Sequence, residues 1–234
     1  MNKLSIGTWL TIYSEAIAEI MSSSGYDWVT IDLEHTPISL SQAEKLIRVI
    51  DLNDCKPYVR VSSNSESEIK RVLDFGAKGI IVPMICNAGD IKKAIESCFY
   101  PPKGNRGMGL NRSHGYGENI KKTDYINNTS DEIEVFATIE SKEALKNLDD
   151  IFQQDITGYI IGPYDLSSSI GKPGNFFSDE FIAAEKLILE TAKKYKIRRG
   201  IHVVEPDLDQ LKEKIKDGYN FIAYSVDFRM LDES

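Results

Sequence analysis

The hydrophobic positions fall into short runs separated by longer amphipathic stretches, and the alternation recurs eight times. The runs "KLSIGTWL", "WVTIDLEH", "PYVRV", "GIIVPM", "IEVFATIE", "GYIIGP", "RGIHVV" and "FIAYSV" predict strands 1 to 8. The stretches between them predict helices: "EAIAEIMSSSG", "SQAEKLIRVIDLND", "SESEIKRVLDFG", "AGDIKKAIESCFY", "SKEALKNLDDIFQ", "DEFIAAEKLILETAKKYK" and "DLDQLKEKIKDG". Ser41 with Glu44, and Ser65 with Glu68, have capping-box spacing and predict two helix starts. A long segment rich in Gly, Asn and Arg, roughly residues 101 to 130, separates the fourth helix from strand 5.

Strands that are apolar runs rather than alternations are buried on both faces, as in a parallel sheet covered by helices. Eight βα-type repeats without a linker favour a closed (β/α)8 barrel over an open sheet. The expectation is one α/β barrel domain over residues 1–234. Only "DFRMLDES" follows strand 8, so the last helix is expected to be short, about two turns.

Composition narrows the partners. With 41% hydrophobic and 27% charged residues, 234 residues suit one globular core. The net charge of −8 disfavours binding to phosphate backbones, so no nucleic-acid role is expected. No apolar segment approaches 18 residues, and the start, "MNKLSIGTWLTIYSEA", lacks a signal-peptide run, so no membrane role is expected. Cys55, Cys86 and Cys98 are odd in number and lack CxxC spacing, which reads as reduced thiols in a cytoplasmic protein.

In barrels of this kind, chemistry sits at the C-terminal ends of the strands. Strand 2 ends in Asp32, Glu34 and His35, Arg60 lies near the end of strand 3, Glu140 closes strand 5, and Asp165 follows strand 6. Taken singly, each has a bland reading: a helix cap for Asp165, a solvated charge for any other acid, a structural role for a lone histidine. Together they would converge on one rim. Two carboxylates with few His and no Cys nearby suit a hard divalent ion, Mg²⁺ or Mn²⁺, rather than zinc. Metal, arginine and histidine together describe enolate chemistry on a 2-oxo acid.

The blocks around these residues resemble a known family. "IDLEH", "VRV", "LDFGAKGIIVPM", "YPPKGNRGMGLNRSHGYG", "TIES" and "IGPYDLSSSIGKPG" are similar to those of the HpcH/HpaI aldolases, class II metal-dependent pyruvate aldolases. They run in family order from about residue 5 to 230. The resemblance implies a lyase that cleaves a 4-hydroxy-2-oxo acid to pyruvate, or a related 2-oxo acid, and an aldehyde. It implies His35 as proton acceptor, Arg60 as the cation facing the enolate, and Glu140 and Asp165 as ligands of Mg²⁺ or Mn²⁺, with Co²⁺ a further candidate. Backbone amides of Tyr164 and Asp165 would hold the substrate carboxylate. Asp74 would raise the basicity of the histidine of a neighbouring subunit, and Asp32 would be another acid close to His35.

Three departures from the family pattern stand out. Thr138 replaces a longer Gln that touches substrate, which implies a wider or wetter pocket. Tyr164 replaces a small Ala, and its ring could shape the aldehyde side. The long C-terminal helix exchanged between family subunits is not seen here, so the expected assembly is a homo-oligomer, a hexamer or smaller. For Glu34 two readings stand, a partner of metal-bound water or a structural hydrogen-bond acceptor. His114 and Tyr116 either touch substrate or a neighbour, or order their loop. His202 reads as structural, and Trp9 as core packing in preference to pocket lining. The rivals to an aldolase are a citrate lyase β-like enzyme acting on an acyl-CoA thioester, for which no basic patch is evident, and a catalytically silent barrel.

Overall fold

The computed structural model describes residues 3–121 and 132–233, with the backbone alone for residues 118–121. Eight parallel strands close into a barrel in sequence order. They are β1 (Ser5–Leu10), β2 (Trp28–Asp32), β3 (Lys56–Arg60), β4 (Gly79–Val82), β5 (Glu134–Ile139), β6 (Gly158–Ile161), β7 (Arg198–Val203) and β8 (Phe221–Val226). Around them run α1 (Glu15–Ser23), α2 (Leu40–Leu52), α3 (Glu66–Asp74), α4 (Ala88–Cys98), α5 (Lys142–Lys146), α6 (Leu148–Phe152), α7 (Pro163–Ser169), α8 (Asp179–Tyr195), α9 (Leu208–Asp217) and α10 (Asp227–Asp232). The predicted (β/α)8 barrel is therefore the observed architecture. Among the described residues no helix is long and apolar enough to cross a membrane.

Both faces of the strands are buried, as the apolar runs require. One face packs on the helices in a shell that includes Val29, Ile31, Val59 and Ile80. The other fills the barrel with Trp9, Trp28, Tyr58, Phe136 and Phe221 among others. Trp28 stacks on Phe221 at 4.4 Å between centroids, and Phe136 stacks on Phe221 at 4.1 Å. Gly7 is what admits the indole: a Cβ there would lie 2.0 Å from the Trp28 ring. Emptying the Trp28 site by Trp28→Ala would cost about 3–5 kcal/mol.

Several boundaries differ from the sequence-based expectation, each for a local reason. α2 is capped by Ser39 and Gln42, two residues before the predicted pair, and Ser41 lies inside its first turn. Ser65 does precede α3, but its side chain makes no cap hydrogen bond, and the Glu68 carboxylate accepts from the Ser62 amide at 2.7 Å instead of closing a capping box. The predicted helix over 141–153 breaks at Asn147, whose side chain donates to the Cys86 carbonyl at 2.8 Å instead of remaining helical surface. The loop after β6 contains a helix, α7, in which Asp165 lies in the first turn and Gly162, not Asp165, is the cap. In the long fourth loop, 3-10 turns span Arg112–Lys121 and are interrupted at Gly115, Tyr116 and Gly117, all with left-handed backbone. Residues 122–131 of that loop lie outside the described residues.

Candidate active site

The inward row of several strands turns from aromatic to polar as it reaches the C-terminal rim. On β2 it reads Trp28, Thr30, Asp32; on β3, Tyr58 and Arg60; on β5, Phe136 and Thr138, with Glu140 just beyond. A parallel register carries side chains of paired residues to the same face, and Asp32 is the cross-strand partner of Arg60. The two meet in a bidentate pair: Arg60 Nε donates to Asp32 Oδ1 at 2.9 Å and Nη2 to Oδ2 at 2.8 Å. The third arm of the guanidinium, Nη1, lies 3.3 Å from Glu34 Oε2.

The strand predicted to run through His35 stops at Asp32. Its carboxylate accepts the Glu34 amide at 3.0 Å, and its carbonyl accepts the Thr36 hydroxyl at 2.5 Å. These bonds turn the chain and present Glu34 and His35 on a loop. His35 is exposed, with Nε2 3.5 Å from Glu34 Oε2. Sequence reasoning placed Asp32 beside the histidine; its side-chain bonds go to Arg60 and to its own turn, and Glu34 is the acid next to His35. Burial raises the Glu34 carboxyl above its usual range, Arg60 opposes that, and Asp32 and Asp165 add to it.

Glu140 is buried beneath the rim. Its Oε1 accepts the Met84 amide at 2.5 Å, from a residue held at φ 55, a strained backbone for a side chain of that size. Burial pushes its carboxyl up to about 7; the Met84 bond and Arg60 work against this, and Glu34 and Asp165 reinforce it.

Arg60, Asp32, His35, Thr138, Tyr164 and Asp165 line one cavity of about 650 Å³. Thr138 Oγ1 is buried with no hydrogen-bond partner among the described residues. Tyr164 is exposed, and its ring packs edge-on against Phe176 at 5.0 Å. Asp74 is not part of this group. It sits at the end of α3, paired at 2.7 Å with Arg106, a buried arginine of the fourth loop. His114 is buried, with Nε2 2.9 Å from the Tyr100 hydroxyl and Nδ1 2.7 Å from Asn111 Oδ1, and so orders the loop; Tyr116 is exposed.

Trp9 and His202 both line the cavity, so Trp9 is pocket wall as well as core, and His202, read from the sequence as structural, stands at the same wall. Also missed from sequence was Asp227, which is buried and accepts the Thr11 and Ile12 amides at 2.7 Å each. It ties the end of β8 to the end of β1 and fixes Thr11 at the cavity wall. An acid directly after an apolar strand was its only signal.

Glu140 and Asp165 lie near enough to act on each other electrostatically, and their carboxylates are the donor type a hard divalent ion takes. Burial and the neighbouring acids push the Glu140 carboxyl up, and a cation beside it would act in the opposite direction. A Cβ at Gly162 would lie 2.8 Å from Glu140 Oε2, so only glycine leaves that oxygen open. Among the described residues no group of three or more His, Cys, Asp or Glu is set to hold an ion.

The pattern of the HpcH/HpaI aldolase/citrate lyase family matches residues 5–233. The chain belongs to that family. A 2-keto-3-deoxy-L-rhamnonate aldolase of Escherichia coli is 33% identical, over 99% of this chain and 86% of its own length. A 4-hydroxy-2-oxo-heptane-1,7-dioate aldolase of Shigella sonnei is 34% identical, over 97% of this chain and 86% of its own. The crystal structure of a family protein from Burkholderia cenocepacia J2315 superposes with a TM-score of 0.92 at 26% identity, covering 99% of this chain and 91% of that one. Family membership makes the chain an aldolase-type carbon–carbon lyase.

Proposed function

We propose that the chain is a divalent-metal-dependent lyase that reversibly cleaves a 4-hydroxy-2-oxo acid into pyruvate, or a related 2-oxo acid, and an aldehyde. The observation that carries the reading is the Arg60 guanidinium, fixed by Asp32 and Glu34 at the wall of a cavity that His35 and Asp165 also line. A fixed cation costs no reorganisation when negative charge develops beside it.

Mg²⁺ or Mn²⁺, or Co²⁺, held by Glu140 and Asp165 would supply Lewis-acid polarisation of the 2-oxo group. The first-turn amides of Tyr164 and Asp165 have no acceptor within α7 and would donate to the substrate carboxylate. His35 takes the proton of the 4-hydroxyl. The C3–C4 bond breaks, the aldehyde carbonyl forms, and the bonding pair moves to C2–C3, giving an enolate. Arg60 faces the charge on the enolate oxygen, and a proton delivered to C3 completes the methyl group of pyruvate. Glu34, beside His35, stabilises the imidazole while it holds the proton. The exposed ring of Tyr164 bounds the space left for the aldehyde.

A CoA thioester is the weaker substrate class, since among the described residues those lining the cavity include no lysine to meet its phosphates. The cytoplasm is the compartment that the three free cysteines suit. A homo-oligomer, in which Asp74 serves a neighbouring site, completes the proposal. The test is a set of racemic 4-hydroxy-2-oxo acids incubated with Mn²⁺, with the pyruvate released measured enzymatically. Release that stops in excess chelator supports the reading; release unaffected by chelator, or none from any member, contradicts it.

A further inference from the structure

Trp9 contacts two groups at the rim that are not its neighbours in sequence. The Arg60 guanidinium carbon lies 4.4 Å from the centre of the indole, a cation–π distance. The His202 ring lies 5.6 Å from the indole, tilted by 38°. His202 is in turn fixed by the backbone of β8: its Nε2 is 3.1 Å from the Ser225 carbonyl. A carbonyl only accepts, so Nε2 carries the hydrogen.

The strand that supplies this carbonyl is irregular at that point. Gly7 pairs with Ala223 but Trp9 pairs with Val226, so β8 carries one more residue than β1 across the same span. Ser225 is in that extra span and has φ 58, in the left-handed region that side chains rarely adopt. The bulge puts Val226, not Ser225, into the inward cluster with Trp9. It also aims the Ser225 carbonyl at His202 and at the Thr8 hydroxyl, which donates to it at 3.3 Å. Strained backbone of this kind persists where its surroundings over-determine it, and bulges at barrel rims re-aim groups toward sites.

We infer that Trp9 is a positioning residue for Arg60, braced by His202 and by the β8 bulge at Ser225. The inference rests on the reading of Arg60 as the cation that faces the enolate. Asp32 and Glu34 fix the guanidinium through its N–H groups; the indole lies under its central carbon, ring face toward the charge. Without the indole the arginine keeps its ion pairs but can tilt out of plane, and its charge no longer points at one place.

The test is a double-substitution cycle on C–C cleavage, with Trp9→Leu, Trp9→Phe, Arg60→Lys and the combination of Trp9→Leu with Arg60→Lys. Trp9→Leu is expected to lower kcat about tenfold, the range of a desolvated cation–π contact, with KM changing less. Trp9→Phe keeps an aromatic face and recovers most of the rate. In the Arg60→Lys background the leucine substitution has little further effect, because the group it positions is gone. Losses that simply add, or a Trp9→Phe as slow as Trp9→Leu, overturn the inference and leave Trp9 as wall and core alone. A crystal structure of Trp9→Leu gives a readout that does not depend on knowing the substrate. A displaced or tilted Arg60 supports the inference, and a guanidinium unchanged on Asp32 overturns it even if the lyase reaction is confirmed.

Discussion

Asp32 holds Arg60 with both carboxylate oxygens, at 2.9 and 2.8 Å, from the next strand of the barrel. The pair is nearly dry, with the Asp32 side chain 2% and the Arg60 side chain 16% exposed. Breaking such a pair by removing one partner leaves the other charge buried and misdirected. Asp32→Ala is therefore expected to lower kcat about a hundredfold or more, like loss of an oxyanion donor. Steady-state kinetics on the active 4-hydroxy-2-oxo acid decides this. An effect within twofold of wild type would return Asp32 to the minor role near His35 that sequence alone suggested.

Glu140 makes stability depend on pH in a definite direction. Its folded carboxyl is raised to about 7 from an ordinary value of 4.5. The folded state thus binds the proton more tightly, and this contribution is full below pH 4.5 and is lost as pH rises through 7. In chelator, the melting temperature of wild type should fall by a few degrees between pH 5 and pH 8, on the scale of about 1–3 kcal/mol. Glu140→Gln, which cannot ionise, should lack that fall and be the more stable protein at pH 8. Identical pH profiles for the two would show that the site does not strain this carboxylate.

The same residue and Asp165 carry the metal expectation. Glu140→Gln and Asp165→Asn should each abolish metal-dependent cleavage while the far-UV circular dichroism remains that of wild type. Isothermal titration with Mn²⁺ should show one site in wild type and a loss of affinity in both variants. Undiminished Mn²⁺ binding in both would place the ion elsewhere.

Asp74 tests the assembly. It is paired with Arg106 of its own chain and stands apart from the cavity, and in the proposed assembly its effect on catalysis would come across a subunit boundary. Light scattering should report a homo-oligomer, and Asp74→Asn should lower kcat by less than Asp32→Ala does. A fully active monomer would remove Asp74 from the mechanism.

Much of this was legible in the chain before any coordinates. Eight apolar runs with amphipathic partners favour a covered parallel barrel, and in such a barrel rim position alone brings Asp32, His35, Arg60, Glu140 and Asp165 to one end. The pairing among them was not legible. Whether Asp32 meets His35 or Arg60 depends on where β2 stops, and that depends on a turn made by Asp32 itself. Trp9 looked like core because an indole in a strand usually is core; its contact with Arg60 depends on strand order around the closed barrel. The β8 bulge at Ser225 leaves no mark, since serine is not a residue that announces a left-handed backbone.

The most direct measurement is proton exchange on pyruvate, which isolates enolate formation from the choice of aldehyde. In D₂O with Mg²⁺, wild type should replace the methyl protons of pyruvate with deuterium, followed as loss of the methyl NMR signal. On the proposed mechanism Arg60 would meet the oxyanion, an effect worth about a hundredfold or more for one donor. His35 would move the proton on the same mechanism, a role worth roughly a hundred- to ten-thousandfold. Arg60→Ala and His35→Ala should therefore each slow exchange by about two orders of magnitude. Exchange by wild type no faster than with Mg²⁺ alone would contradict the account at its centre.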